Sequence, residues 1–109
     1  MARKKPDVYV GSGNVFADIG VREPEEMLAK AQLAAEIVRI IRSRKLTQTA
    51  AAKALDVDQP KVSALSRGRL REFSIERLLR FLNALHRDVR IVVGEKPQRR
   101  RGRVIVEAA

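Results

Sequence analysis

Residues 46–69, LTQTAAAKALDVDQPKVSALSRGR, constrain this chain more than any other stretch, because their spacing fits two short helices joined by a tight turn. Thr47 is an N-cap candidate, and Ala51, Ala52 and Leu55 recur behind it at helical spacing, which predicts a helix over 47–55 with one buried stripe. Asp56-Val57-Asp58 interrupts it. Asp58 is placed to cap a second helix with Pro60 in its first turn, where the missing N–H leaves no bond unmade. Val62 and Leu65 point that helix into the core, and Gly68 ends it.

With Val62 and Leu65 inside, Gln59, Lys61, Ser63 and Ala64 are expected on the outward face of the second helix. Small or hydrogen-bonding side chains there suit base-edge reading in a DNA major groove, where bulk would hold the helix away. Gln59 is the candidate for adenine and Ala64 for a thymine methyl. Thr47, Gln48, Arg67, Arg69 and Arg71 lie at helix starts and just past the second helix, where they are expected to grip phosphates and fix the docking angle. The competing reading is one hairpin of an ordinary helical bundle.

On Leu46-Thr47-Gln48, Ala52, Asp56-Val57-Asp58, Val62-Ser63, Leu65 and Gly68 the stretch resembles the helix-turn-helix of the phage-repressor-like XRE family. It departs from that pattern at three places. Asp56 replaces the turn glycine, Ala51 a core leucine, and Ser66 a glutamate before the closing Arg67-Gly68. Aspartate tolerates left-handed backbone, so the turn is expected to survive; Ala51 implies a thinner core, and Ser66 removes a carboxylate near the DNA. The resemblance implies a mainly α, five-helix lambda-repressor-like fold.

Composition agrees with a small nucleic-acid-binding domain. The 109 residues support one domain whose core, with three Phe and one Tyr, is largely aliphatic and alanine. Net charge is +10, and residues 39–71 carry nine Lys/Arg against two acids. A basic patch centred on a reading helix fits a polyanion, with binding that falls steeply as salt rises. No apolar run approaches the length of a membrane span, and MARKKPDVYV lacks the apolar stretch of a signal peptide, so the expected location is cytoplasmic, with no membrane partner. Without cysteine, and with His86 alone, there is almost no material for a metal site, a thiolate nucleophile or a Ser-His pair, so no enzyme activity, metal or cofactor is expected. His86 reads as a helix-end residue. Gly11-Ser12-Gly13 lacks the glycine and Lys-Ser/Thr that a phosphate loop requires.

Around the motif, three regions are expected: an arm over 1–23, a helical domain over 24–87, and a strand region with an arginine-rich linker over 88–109. Pro24, Glu25 and Glu26 open a helix of about twenty residues with a stripe of Leu28, Ala31, Ala35, Val38 and Ile41, closed by Arg42, Arg44 and Lys45. Ser74 caps another, banded by Ile75, Leu78, Leu79, Phe81, Leu82 and Leu85. Then the period changes: residues 88–93, DVRIVV, are rich in β-branched side chains and stop at Gly94, which predicts a strand. Its partner is residues 104–106, residues 8–10, or its own copy in a second chain; the last is preferred, through Val89, Ile91 and Val93. Such a two-fold homodimer sets two reading helices about 34 Å apart, the spacing of a palindromic operator. The run 95–103, EKPQRRRGR, reads first as a solvated linker and second as a minor-groove contact.

The arm holds Tyr9, Val15, Phe16 and Ile19 among glycines and charges, too few apolar groups to fold alone but enough to dock on a partner. A GSGNVFADIG arm, a long helix, the motif and a closing strand together resemble HigA-type antitoxins over roughly residues 12–93. That resemblance implies a small RelE-like ribonuclease toxin as partner and repression of the chain's own operon as a dimer. The alternatives are a solitary XRE-family regulator with the same DNA chemistry, and an RNA-binding protein, for which Tyr9 and Phe16 are the only aromatics placed to stack bases.

Overall fold

Residues 23–95 and 102–108 are described by a computed structural model, and four helices carry them: α1 (Glu23–Ser43), α2 (Gln48–Leu55), α3 (Gln59–Ser66) and α4 (Ile75–Ala84). Local sequence accounts for each boundary. Acidic Glu23, Glu25 and Glu26 sit in the first turn of α1, where the helix dipole favours them. The Thr47 hydroxyl accepts from the Ala50 N–H at 3.0 Å to cap α2, and the Ser74 hydroxyl accepts from the Arg77 N–H at 3.1 Å to cap α4. Asp58 has the extended backbone of an N-cap but its carboxylate makes no capping hydrogen bond, so α3 starts on backbone geometry and Pro60 alone.

Each helix is followed by a residue in the left-handed region: Lys45 (φ 54°), Asp56 (φ 57°), Gly68 (φ 75°) and His86 (φ 64°). The reversals close with backbone bonds back into the preceding turn, Leu46 N–H to Ile41 O, Val57 N–H to Ala52 O, Arg69 N–H to Ala64 O and Arg87 N–H to Leu82 O, at 2.9–3.1 Å. This is the Schellman closure, and only one of the four positions is glycine. His86 is the helix-end residue its position implied, exposed and just past α4.

α1 packs along α4 and touches α3, while α2 packs on α3 and more lightly on α4. Ile37, Ile40, Val62, Phe73, Leu78 and Leu85 are fully enclosed. Phe73 and Phe81 meet edge to face, 5.9 Å between ring centres. The Arg44 guanidinium donates to the Leu85 carbonyl at 2.6 Å, fastening the end of α1 to the end of α4. The core bands expected for α2, α3 and α4 are the buried ones, except that Leu79 is only half-buried.

Three expectations need correction. The buried face of α1 is Ala29, Lys30, Leu33, Ala34, Ile37, Ile40 and Ile41; of the expected row of Leu28, Ala31, Ala35, Val38 and Ile41 only Ile41 belongs to it, and Leu28 is 57% exposed. Two apolar rows compete on this helix, and the one with the branched residues Leu33, Ile37, Ile40 and Ile41 removes more apolar area from water. Second, residues 88–93 form no strand: the described residues contain no β-ladder. Residues 8–10 lie outside the described part of the chain, and 104–106 take part in no ladder. A strand needs a partner for its backbone, so the β-branched side chains pack instead, Val89, Val104 and Val106 half-buried against the core. Third, the described residues hold four helices rather than five. The arm residues Tyr9, Val15, Phe16 and Ile19, and most of the arginine run, lie outside the described residues.

Because Asp56 holds φ 57°, Asp56→Gly is expected to stabilise the domain by about 0.5–1 kcal/mol, and the β-branched Asp56→Val to destabilise it by about 1–2 kcal/mol. Thermal unfolding followed by circular dichroism measures both, and equal midpoints would remove backbone strain from the account of the turn.

Candidate nucleic-acid interface

The α2–α3 pair presents the motif's polar residues on one surface. Val62 and Leu65 turn α3 inward, which leaves Gln59 exposed and Lys61 and Ser63 half-exposed on its outer side. Ala64, expected to project, is only 8% exposed and lines the floor of a shallow concavity with Asp58, Pro60, Lys61, Ser63, Arg67, Arg69 and Glu72.

Of the expected phosphate-gripping groups, two line this recess and three stand elsewhere on the surface. Thr47 and Gln48 are exposed at the start of α2, and Arg67, Arg69 and Arg71 are exposed beyond α3. Arg67 and Arg69 line the recess, whereas Arg71 is not among its lining residues. Leu70 and Phe73 are buried and anchor the segment that carries these arginines. The Thr47 hydroxyl accepts from the backbone and keeps its own O–H to donate, so capping and anion contact are compatible at that residue.

Two residues that sequence reasoning passed over join the surface. Thr49 Oγ1 accepts from Gln59 Nε2 at 2.9 Å, linking the first turns of the two helices. An amide has two N–H donors, so Gln59 retains one donor and its carbonyl oxygen for a further partner. Glu72 Oε1 lies 3.3 Å from Lys61 Nζ, which also stands 5.8 Å from the centre of the Phe73 ring. The side-chain contacts are invisible to a pattern search, because they connect positions ten and eleven apart through a fold-dependent meeting.

The strand residues are dispersed: Val89 is half-buried on the core, while Ile91 and Val93 are exposed, Val93 at 93%. Away from the recess, the alternative row of α1 lines an open groove, Ala31, Ala35 and Val38 facing Leu65 and Leu70. On its rim the Arg39 guanidinium hydrogen-bonds Glu36 and holds that carboxyl below its ordinary pKa. Among the described residues no group of His, Cys, Asp or Glu could hold a metal ion, and no helix is long and apolar enough to cross a membrane.

Residues 15–94 match the model of a family described as a helix-turn-helix domain. A solved chain named as an XRE family transcriptional regulator is 45% identical, with a TM-score of 0.77, the match covering 81% of this chain and 100% of that one. No curated protein matches the chain.

Thr47→Ala is expected to destabilise the domain by about 1 kcal/mol through loss of the α2 cap, and Thr47→Ser to leave it unchanged. Urea unfolding distinguishes them; an unaltered midpoint for Thr47→Ala would show that α2 does not depend on that hydroxyl.

Proposed function

The chain belongs to the helix-turn-helix domain family, and from that premise we propose that it is an XRE-type transcriptional regulator that represses by reading double-stranded DNA with α3. The observation that carries this reading is the recess over Ala64, a polar reading face framed by Arg67 and Arg69 beyond α3. Gln59, Lys61 and Ser63 face base edges, with Ala64 leaving room for a thymine methyl. Thr47, Gln48, Arg67, Arg69 and Arg71 hold phosphates and set the docking angle, supplying affinity but no sequence information.

In this reading the regulator acts as a homodimer on a palindromic operator. One helix offers only a few base contacts, and two copies about 34 Å apart on a palindrome convert weak half-sites into one strong site. Support for pairing comes from Ile91, Val92 and Val93, adjacent apolar residues left exposed. The narrower form of the proposal is an antitoxin of the HigBA type, whose arm residues Tyr9, Val15, Phe16 and Ile19 dock on a RelE-like ribonuclease. It is supported by the resemblance of residues 12–93 and by the arm's composition, and co-purification with the product of an adjacent small basic reading frame tests it. Without such a partner the chain is a solitary regulator with the same DNA chemistry.

Fluorescence anisotropy on a preferred and a scrambled duplex tests the base-reading face. Gln59→Ala is expected to weaken the preferred duplex by about 1–3 kcal/mol and the scrambled one little, while Arg69→Ala weakens both and lowers the salt slope by about one. Equal loss on both duplexes for Gln59→Ala would reject base reading by α3. For the dimer, sedimentation equilibrium of Val93→Asp should give half the mass of the parent chain; a parent chain that is already monomeric at micromolar concentration would reject the pairing.

A further inference from the structure

Two carboxylates, Asp58 and Glu72, line a recess otherwise edged by Lys61, Arg67 and Arg69. Asp58 occupies the N-cap of α3, a position where aspartate is favoured for backbone reasons. Glu72 has no such local role. It lies between α3 and α4, outside any helix, and its Oε1 reaches Lys61 Nζ at 3.3 Å. The same ammonium stands 5.8 Å from the centre of the Phe73 ring, and Phe73 is itself fully enclosed and set edge-on against Phe81. Lys61 is therefore held by a carboxylate next to a rigid aromatic face.

Exposed ion pairs contribute little to stability, and the Glu72 side chain is 52% exposed. A carboxylate here also repels the phosphates that the surrounding arginines attract. Its consequence lies in what it does to the lysine. A free lysine is a point charge on a flexible stem, and beside a duplex it settles on phosphate, which raises affinity for every sequence alike. An ammonium carries three N–H donors, so one directed at Glu72 leaves two for acceptors such as guanine O6 and N7.

We propose that Glu72 is a specificity-determining positioning residue: it holds the Lys61 ammonium over the reading face of α3 and withholds it from the phosphate backbone. This inference rests on the reading of α3 as the base-contacting helix. Glu72 thereby lowers sequence-independent binding twice, by its own repulsion of phosphate and by the charge it restrains.

The test uses the full chain, a preferred duplex selected from random DNA, and a scrambled duplex of equal length. Glu72→Gln keeps the shape and removes the charge. It should tighten binding to the scrambled duplex by about three- to tenfold and steepen its salt slope by about one, as a released lysine neutralises a further phosphate. Preference at the base read by Lys61 should relax, and Glu72→Asp, which retains the charge, should restore the parent slope. In a Lys61→Met background Glu72→Gln should no longer alter base preference, which separates positioning from simple repulsion. An unchanged slope and an unchanged ratio of preferred to scrambled affinity for Glu72→Gln would overturn the inference while leaving base reading intact. A parent chain with no preferred duplex would overturn base reading itself, and this inference with it.

Discussion

Asp56 turns the backbone into the left-handed region at φ 57°, and the Val57 N–H closes the reversal on the Ala52 carbonyl at 2.9 Å. That single reversal fixes the angle between α2 and α3. The small side chains of Ala51 and Ala52, both buried, let the two helices lie close, and Val62 and Leu65 then have one direction in which to bury. Everything polar on α3 follows from this: once those two side chains are inside, Gln59, Lys61 and Ser63 are outside, and Ala64 becomes the floor between them and the arginine-bearing segment. The buried ends of that segment, Leu70 and Phe73, set where Arg67 and Arg69 stand.

What the sequence made readable was local. Caps at Thr47 and Ser74, the stop at Gly68 and the apolar bands of α2, α3 and α4 depend on neighbours three or four positions apart, so periodicity finds them. Where two local answers competed, periodicity alone chose wrongly: α1 carries two apolar rows, and side-chain volume decides between them. The β-branched run at 88–93 reads as a strand by composition, but a strand is a relation between two segments, and none of the described segments supplies the second. Helical phase puts Ala64 on the outer face, yet it is only 8% exposed and belongs to the core cluster. The partners Thr49 and Glu72 became apparent only when the fold brought distant positions together.

Charge and specificity pull against each other on this surface. In the proposed reading, a net charge of +10 favours any duplex, and phosphate contacts from the arginines beyond α3 would carry no sequence information. Discrimination must come from side chains whose direction is fixed before the DNA arrives. In the proposed reading both polar links on α3 act in that sense, the Thr49 contact with the amide of Gln59 and the contacts of Lys61 with Glu72 and Phe73. Neither link adds much to the stability of the fold, and both reduce the freedom that binding would otherwise have to remove.

The central claim is that α3 reads base sequence rather than merely carrying positive charge. Selection of bound duplexes from a random library at about 150 mM salt, where phosphate attraction alone is weakened, tests it most directly. If α3 reads bases, the bound pool is expected to be enriched in a palindrome whose half-sites lie one helical turn apart. A bound pool as random as the input would contradict it.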